Sequence, residues 1–274
     1  FRIGGAADYY YEPETAEELK SLLARCKAEG IPSAVIGNGS NLLVGDKGFR
    51  GAVIRLGEGF GAIEVNGNRL RAEAGALLAK LARTAANAGL SGLAFAAGIP
   101  GTVGGALVMN AGAYGGEMKD ILESAELLLP DGSVRCFTGE ELELGYRHSN
   151  IPALGAIVLS ATFVLTPGEK EEILAEMKRY AESRREKQPL AFPSAGSAFK
   201  RPPGDTAARL LDEAGCKGLR IGGAAISEKH AGFLVNLEHA SAADVRAVLA
   251  AAAERVEARF GVRLEPEIRF LGEF

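Results

Sequence analysis

The segment GIPGTVGGALVMNAGAYGG, residues 98–116, ends a long stretch of this chain that has no charged side chain. The stretch begins at Thr84, and nine of its last 28 residues are glycine. Glycine loses more conformational freedom on folding than any other residue, so ordered structure tolerates this density only for a reason. One reason is a tightly packed core of small residues, and the other is close approach of the backbone to a flat or charged ligand. A membrane span is excluded, because Pro100 and several glycines would lie in its middle.

A second glycine segment, GNGSN at residues 37–41, follows a short apolar strand predicted for residues 33–37. It fails the dinucleotide-fold fingerprint, because Leu42 stands where a third small residue is required and the following residues indicate a strand. It is not a Walker loop either, since the chain contains no Gly-Lys dipeptide. Successive backbone N–H groups in such a loop can hold a phosphate, although an ordinary turn remains the alternative. Two such segments in one domain favour a large, partly apolar cofactor with a diphosphate.

The composition is that of a globular protein enriched in glycine. Of 274 residues, 36 are glycine, while 47% are hydrophobic and 24% are charged. The usual share of glycine is roughly 7%. Thirty-one basic and 35 acidic residues give a net charge of −4, so no bulk positive field exists to hold nucleic acid or an anionic lipid surface. We therefore predict neither a nucleic-acid partner nor a membrane partner.

The cysteines and histidines indicate neither a disulfide framework nor a metal site. Cys26, Cys136 and Cys216 are odd in number, widely spaced and in no Cys-x-x-Cys pair, which fits a reducing compartment. We expect each to be a small buried hydrophobe. The three histidines share no ligand spacing, so we predict no metal. No secretory signal opens the chain, and Phe1 is not methionine, so we expect the natural start to be missing.

Local patterns predict an α+β fold with clustered strands rather than a regular βαβ alternation. Thr15-x-x-Glu18 is a capping-box pattern that opens a helix, and residues 62–74 form a hairpin about Asn66-Gly67-Asn68. The charge-dense residues 169–188 form a solvated connecting helix, and we place a domain boundary near residues 168–190. Residues 264–270 form the last predicted strand.

Three polar motifs lie outside the glycine segments. They are YRHS at residues 146–149, SAGSAFK at 194–200 and EPEIRF at 265–270. Each motif taken singly is typical of a protein surface, so none of them alone indicates chemistry.

Taken together, seven segments across essentially the whole chain match one family in its order. They are FRIGG (1–5), IGNGSNLLV (36–44), AGIPGTVGGALVMNAGAYG (97–115), YRHS (146–149), SAGSAFKRP (194–202), HAGFLVN (230–236) and EPEIRFLG (265–272). The chain thereby resembles the UDP-N-acetylenolpyruvoylglucosamine reductases (UDP-N-acetylmuramate dehydrogenases), flavin enzymes of bacterial peptidoglycan precursor synthesis. No single segment is decisive, but the seven in register are very specific.

The resemblance implies an α+β architecture, with an FAD-binding domain of the vanillyl-alcohol-oxidase (PCMH) type in two subdomains and a smaller α+β substrate domain. The FAD-binding domain would cover residues 1–168, with subdomains of about 1–56 and 57–168. Residues 169–189 would be a connecting helix, and residues 190–274 the substrate domain, whose last strand returns toward the flavin. The short connection from Lys187 to Ser197 resembles the family's second type, which lacks an inserted tyrosine-bearing loop. Ile151 departs from the family pattern, in which an aromatic residue is more common.

The resemblance also implies the site residues. Arg147, Ser197 and Glu267 would be catalytic, with Ser197 as the proton donor. The residues that would surround the flavin and diphosphate are Gly37, Asn38, Gly39, Ser40, Asn41, Leu42, Gly98, Pro100, Gly101, Thr102, Gly104, Gly105, Asn110, Ala111 and Gly112. Candidates for binding the UDP-sugar are Tyr146, Lys200, Arg201, Lys217 and Arg220. The four cations of that group are candidates by position only, and a solvated charged surface remains the alternative for them.

The implied reaction uses non-covalent FAD and NADPH in the bacterial cytoplasm, with a UDP-sugar as small-molecule substrate and no protein partner implied. Hydride passes through the flavin to the β-carbon of an enolpyruvyl ether. Arg147 would stabilise enolate charge, Glu267 could do so by a hydrogen bond if it stays protonated, and Ser197 would protonate the α-carbon.

Two other functions stay open on the sequence. A related flavin oxidase acting on a sugar or lactone is weakened, because residues 37–41 contain no histidine that could tether the flavin. A catalytically silent nucleotide-sugar binding protein is the second. Purified protein that is colourless and does not take up FAD would favour it.

Overall fold

The computed structural model describes every residue from Phe1 to Phe274, and the chain divides into two compact units. Unit 1 comprises Phe1–Asp8, Ser40–Gly51 and Arg185–Phe274, and unit 2 comprises Tyr9–Gly39 and Ala52–Arg184. Two short N-terminal segments thus belong to the same unit as the C-terminal part of the chain. The predicted domains, in contrast, are consecutive ranges of the sequence. The assignment of cofactor and substrate to residues 1–168 and 190–274 stays a prediction.

The two units contain eighteen strands and six α-helices. The strands are β1 (Ala7–Tyr11), β2 (Ser33–Ile36), β3 (Leu42–Val44), β4 (Phe49–Arg55), β5 (Ile63–Asn66), β6 (Arg69–Glu73), β7 (Leu90–Ser91), β8 (Gly112–Ala113), β9 (Gly116–Glu117), β10 (Leu122–Leu128), β11 (Val134–Thr138), β12 (Ile157–Val164), β13 (Thr166–Pro167), β14 (Ser194–Ser197), β15 (Arg220–Ile221), β16 (Ala224–Ile226), β17 (Phe233–Asn236) and β18 (Arg269–Leu271). The helices are α1 (Ala16–Ala28), α2 (Leu78–Asn87), α3 (Val103–Val108), α4 (Lys170–Lys187), α5 (Ala207–Glu213) and α6 (Ala242–Phe260).

Unit 2 is built on a five-stranded antiparallel sheet in the order β11-β10-β12-β6-β5. Successive side chains of a strand point to opposite faces, so alternation along β6 places Leu70 and Ala72 in the core. Arg69 and Arg71 alternate with them and form ion pairs with glutamates of β10 on the other face. The predicted hairpin about Asn66-Gly67-Asn68 is confirmed as β5 and β6.

Helix α1 begins where its sequence predicts. The Thr15 hydroxyl accepts a hydrogen bond from the Glu18 N–H at 3.2 Å, which caps the first turn. The reciprocal half of the predicted capping box differs, because the Glu18 carboxylate accepts from the Glu14 N–H at 2.8 Å instead. Parallel strands β2 and β4 pair in the same unit.

Unit 1 centres on the antiparallel sheet β14-β17-β16-β15 and on helices α5 and α6. Ser241 and Asp244 form a full capping box at the start of α6, and Gly261 ends that helix with a φ of 67°. Asp46 adds two hydrogen bonds to the same helix start, to the N–H groups of Ala242 and Ala243. Strand β3 pairs in parallel with β18.

The structure corrects two sequence expectations and adds one element that the sequence did not predict. The last strand covers Arg269–Leu271 rather than residues 264–270, because Pro266 has no N–H to give to a ladder and forms only an isolated bridge with Phe199. Cys136 is exposed, since it lies on the edge strand β11, whereas the other two cysteines are buried as expected. The glycine-rich segment contains the short helix α3, which its glycine content did not indicate.

The predicted α+β fold class is confirmed. Helix α4 is the predicted connecting helix at residues 169–188, with ends shifted by one residue at each side. Six residues, 188–193, separate α4 from β14, so the connection between them is short. None of the helices combines the length and apolar character that crossing a bilayer requires.

Candidate functional site

The two glycine segments contact each other within unit 2. The Asn38 carboxamide donates a hydrogen bond to the Pro100 carbonyl at 2.8 Å. A Cβ built on Gly37 would lie 2.2 Å from the Thr102 hydroxyl oxygen, so only glycine fits at that position. The chain passes into unit 1 between Gly39 and Ser40, and the predicted cofactor loop is therefore shared by the two units.

The Thr102 hydroxyl is the polar side-chain group at this place that is best suited to contact a ligand. It is buried and has no hydrogen-bond partner in the protein. An unsatisfied buried polar group costs about 1–3 kcal/mol, so such a group in a glycine-lined position is suited to a polar ligand atom. The residues present therefore fit a cofactor that is bound mainly by backbone and hydroxyl groups, as FAD would be here.

The neighbouring glycines of this segment are required for different reasons. A Cβ on Gly104 would lie 3.1 Å from the Ala74 Cβ, and one on Gly112 would lie 2.7 Å from the Gly116 carbonyl oxygen. Packing of the protein itself explains these two. At Gly105, in contrast, the nearest atom is 3.8 Å from a built Cβ, and the residue is exposed. Since protein packing does not require glycine there, approach by a ligand is the remaining explanation.

Arg184 is a candidate site residue that the sequence patterns did not indicate. A Cβ built on Gly98 would lie 2.6 Å from the Arg184 Cδ and 3.3 Å from its Nε, so this side chain covers the glycine backbone. Burial lowers the pKa of the Arg184 guanidinium. Four residues earlier on α4, Tyr180 stacks on Tyr114 with ring centroids 4.2 Å apart. Arg184 thus brings a cation against a segment that has none of its own.

A periodic signal for Arg184 was present in the sequence. Ile173, Met177 and Tyr180 recur at helical spacing along residues 169–188, and position 184 continues that face. The charge density of this helix nevertheless predicts that Arg184 is solvated, because arginine is mostly exposed in proteins.

Arg147 lies in the turn of a tight hairpin in unit 2. Gly145 and His148 exchange both of their backbone hydrogen bonds at 3.1 Å, which leaves Tyr146 and Arg147 as the two turn residues. The φ of Arg147 is 52°, a conformation that costs a non-glycine residue on the order of 1–3 kcal/mol. The guanidinium carbon is 5.2 Å from the centre of the Tyr146 ring. Strain of this kind is common where a side chain must be aimed for function.

Ser197 and Glu267 are brought together in unit 1. Ser197 ends β14 after a register irregularity, in which Gly196 has a φ of 84°. The Glu267 N–H donates to the carbonyl of Ala198, the residue after Ser197, at 3.0 Å. Both side chains are half-buried. The sequence motifs at residues 194–200 and 265–270 are thus adjacent in space, although about 70 residues separate them in the chain.

The second half of the cofactor loop is attached to the Glu267 segment in the same unit. The Asn41 carboxamide donates to the Glu267 carbonyl at 3.0 Å, and the Asn41 carbonyl accepts from the Arg269 N–H at 2.9 Å. Leu42 pairs with Arg269 in the β3–β18 register. The structure therefore links a predicted cofactor segment directly to a predicted catalytic segment.

The predicted substrate-binding residues are less distinctive. Lys200 pairs with Glu265 at 2.5 Å and Lys217 with Asp212 at 2.6 Å, while Arg220 forms an ion pair with a glutamate and donates to the Gly222 carbonyl. Tyr146 and Arg201 are exposed. Carboxylates thus pair with Lys200, Lys217 and Arg220, and binding of the UDP diphosphate by any of the candidate cations stays a prediction.

Comparison with known proteins adds two domain matches. Residues 7–137 match the model of an FAD binding domain. Residues 188–271 match the model of the UDP-N-acetylenolpyruvoylglucosamine reductase C-terminal domain. The first matched range contains both glycine segments, and the second contains the Ser197 and Glu267 motifs.

Full-length relatives agree with these matches. The chain is 53% identical to UDP-N-acetylenolpyruvoylglucosamine reductase of Agathobacter rectalis, covering 100% of this chain and 91% of the relative. It is 50% identical to the protein of the same name from Alkaliphilus oremlandii, covering 100% and 90%. The crystal structure of UDP-N-acetylenolpyruvylglucosamine reductase from Thermus caldophilus is similar with a TM-score of 0.81 and 44% identity, covering 95% of this chain and 91% of that one.

Proposed function

The chain belongs to the UDP-N-acetylenolpyruvoylglucosamine reductase family of FAD-dependent oxidoreductases, and we propose that it reduces UDP-N-acetylglucosamine enolpyruvate to UDP-N-acetylmuramate. NADPH is the electron donor. The step belongs to peptidoglycan precursor synthesis in the bacterial cytoplasm. The sequence identity over the whole chain supports this proposal.

The cofactor is FAD, which accepts hydride from NADPH and delivers it to the β-carbon of the enolpyruvyl ether when bound. The residues proposed to hold it are Gly37–Leu42 and the segment from Gly98 to Gly112. Within this set, the buried Thr102 hydroxyl lacks a protein partner and can donate to a cofactor oxygen. Arg184 adds a positive charge beside Gly98 that suits an anionic part of the cofactor.

The protein side chains are proposed to handle the charge and the proton. Addition of hydride to the β-carbon places negative charge on the carboxylate and the α-carbon of the substrate. The Arg147 guanidinium can pair with that carboxylate by two hydrogen bonds, which stabilises the charge as it develops. Glu267, if protonated, stabilises the same charge by donating a hydrogen bond. Ser197 gives its proton to the α-carbon, and solvent restores that proton afterwards.

The observation that carries the assignment of Ser197 and Glu267 is their adjacency. The backbone bond from Glu267 to Ala198 fixes the two residues on neighbouring segments. The Phe199–Pro266 bridge lies beside that bond, so the two segments are joined at consecutive positions. A proton donor and a charge-stabilising group can therefore act on neighbouring atoms of one substrate, the α-carbon and its carboxylate. Reduction of the enolpyruvyl double bond requires both groups at these atoms.

Replacement of Ser197 by alanine tests the proposal. The variant should bind FAD and be reduced by NADPH at the normal rate, while transfer to the enolpyruvyl substrate falls on the order of 10²–10⁴-fold. Stopped-flow absorbance of the flavin measures both half-reactions. Ser194→Ala is the matched control on the same strand, because the Ser194 hydroxyl is bound to the Leu234 carbonyl at 2.8 Å and has a structural contact.

Near-normal transfer in Ser197→Ala would show that this serine is not the proton donor. The overall activity has a separate test, which is NADPH oxidation by the wild type with and without the enolpyruvyl sugar nucleotide. Oxidation that does not depend on the sugar nucleotide would contradict the proposed function as a whole.

A further inference from the structure

The backbone of the hairpin that carries Arg147 is strained at Arg147 itself, the residue whose side chain is proposed to contact the substrate carboxylate. Arg147 occupies the third position of the turn with a φ of 52°, where turns with a positive φ normally have glycine or asparagine. A residue persists in such a conformation only when the surrounding structure over-determines it. The two backbone bonds between Gly145 and His148 close the hairpin, but they do not attach it to the rest of unit 2.

Two buried side chains provide that attachment, one at each end of the hairpin. The Asn110 carboxamide donates to the Gly145 carbonyl at 3.0 Å, and the Ser149 hydroxyl donates to the Val108 carbonyl at 2.9 Å. Asn110 has no exposed surface, and Ser149 is 5% exposed. Both bonds connect the hairpin to residues 108–110, at the C-terminal end of helix α3. The base of the hairpin is thus fixed at two points to one short segment.

The remaining hydrogen bonds of Asn110 fix its own orientation. Its carboxamide nitrogen also donates to the Glu117 carboxylate at 2.7 Å, and its oxygen accepts from the Lys119 N–H at 2.9 Å. Glu117 is in turn held by the Lys119 ammonium at 2.6 Å. A carboxamide has only two N–H donors, and both are used within the protein. No donor of this side chain is left for the cofactor, so any cofactor contact of Asn110 must use other atoms.

We propose that Asn110 and Ser149 are positioning residues that aim Arg147 by holding its strained hairpin against residues 108–110. The inference rests on the proposed role of Arg147 in stabilising substrate charge. The hydrogen bonds of Asn110 and Ser149 connect the glycine-rich segment to a catalytic side chain, and this role is separate from cofactor binding. Loss of either anchor lets the hairpin relax toward an unstrained turn, in which the guanidinium points elsewhere.

Asn110→Ala and Ser149→Ala test this role in the FAD-loaded enzyme. Ser149→Ala should bind FAD and accept electrons from NADPH within about twofold of the wild-type rate, and transfer in Asn110→Ala is measured at saturating FAD. Transfer to the enolpyruvyl substrate should slow on the order of 10²-fold for Asn110→Ala, since small misplacements of a catalytic group have effects of that size. A smaller loss is expected for Ser149→Ala, because it removes a single bond. The change should appear in the rate of transfer and not in the KM for NADPH.

A double-mutant cycle separates positioning from general damage to the fold. In an Arg147→Ala background, Asn110→Ala and Ser149→Ala should have no further effect on transfer, because the group that they position is gone. Equal slowing with and without Arg147 would overturn the inference. Unchanged transfer in both single variants would overturn it as well. If Arg147→Ala itself transfers normally, the proposed function of Arg147 fails rather than the anchoring alone.

Two control variants match the anchors in burial and bonding. Asn236 is 7% exposed and makes three side-chain bonds to backbone, to Phe1, Arg2 and Ala240. Ser160 is 2% exposed and donates to the Glu126 carboxylate. Asn236→Ala and Ser160→Ala should lower the unfolding temperature as much as the test variants do, without the selective loss of transfer. Selective loss in these controls would overturn the inference.

Discussion

The glycine-rich segment of unit 2 and the joined motifs of unit 1 prepare for a ligand in opposite ways. Residues 98–116 carry no charge, and what they offer is backbone, one buried hydroxyl and open space. The motifs around Ser197 and Glu267 instead present side chains whose positions depend on a β-bridge and a backbone hydrogen bond. The first region is sensitive to any added atom, whereas the second is sensitive to which functional group is present.

The difference shows in how substitutions should act. In the backbone-built region, a methyl group can damage the fold or block the ligand, and the structure indicates which outcome belongs to which glycine. In the side-chain-built region, removal of a hydroxyl or a carboxylate should leave the fold intact and change the chemistry. Substitutions at glycines of the first region and at a charged group of unit 1 therefore sharpen the contrast.

The largest effect on stability is expected for Gly112→Ala. The added Cβ would lie 2.7 Å from the Gly116 carbonyl oxygen and 2.8 Å from the Glu117 Cβ, and the backbone of β9 cannot move away without breaking its pairing with β8. Overpacking of this kind costs typically 1–3 kcal/mol, and here we expect about 3 kcal/mol of unfolding free energy. Urea unfolding of the FAD-free protein measures it.

Gly115→Ala serves as the comparison for Gly112→Ala. Gly115 has a φ of 88° and no atom within 4 Å of a built Cβ, so alanine there should cost only backbone strain of roughly 1 kcal/mol. Equal costs at the two positions would show that close packing around β8 and β9 is not what requires glycine at position 112.

A smaller effect of opposite sign on the fold is expected for Gly105→Ala. Gly105 lies in α3, and the nearest atom to a built Cβ is the Thr102 hydroxyl oxygen at 3.8 Å, so alanine should fit and stabilise the FAD-free protein by roughly 0.5–1 kcal/mol. The same methyl group should hinder the cofactor and weaken FAD affinity about tenfold, or ~1.4 kcal/mol. Fluorescence titration of FAD-free protein measures this. Unchanged affinity would mean that Gly105 does not face the cofactor.

Much of the fold was predictable because local signals agreed with tertiary contacts. The threonine cap of α1, the Asn-Gly turn between β5 and β6, and the capping box of α6 each fix an element from adjacent residues. Helix α3 was not predictable, since two of its six residues are glycine and its contacts with β6 and β12 come from distant parts of the chain. The last strand is shorter than predicted because Pro266 has no N–H for a β-ladder, although the residues around it have a strand-like pattern.

The residues of the candidate site stay predictions, and their connections could not be derived from the sequence. The glycine segments were indicated by their composition, whereas Ser197 and Glu267 followed only from the family resemblance. The anchoring of the Arg147 hairpin depends on a bond from Asn110 across 35 residues, which no pattern of spacing reveals. Arg184 was missed because burial of a charged side chain depends on the segment that packs on it.

The smallest expected effect is on the pH dependence of stability and of FAD affinity. It differs between the two regions because only one of them contains ionisable side chains. In unit 1, hydrogen bonds from Arg209, and next from the Thr206 N–H, lower the pKa of the half-buried Asp205 from 3.8 to about 2. A carboxylate with a depressed pKa in the folded state stabilises that state above its unfolded pKa, and this contribution is lost as the pH falls through the folded pKa. Asp205→Asn should therefore lower stability slightly at pH 7, and the difference from wild type should fade between about pH 4 and pH 2.

Residues 98–116 contain no carboxylate, histidine, lysine or arginine, so the loss of FAD affinity in Gly105→Ala should be the same at every pH between about 5.5 and 8. Urea unfolding of wild type and Asp205→Asn at several acidic pH values, together with FAD titrations across the neutral range, measures both parts. A pH-dependent loss of affinity in Gly105→Ala would mean that an ionisable side chain shares the work of the backbone there. The contrast between a region built from backbone and a region built from side chains would then fail at its central point, because cofactor binding beside Gly105 would depend on a side chain that titrates near neutral pH.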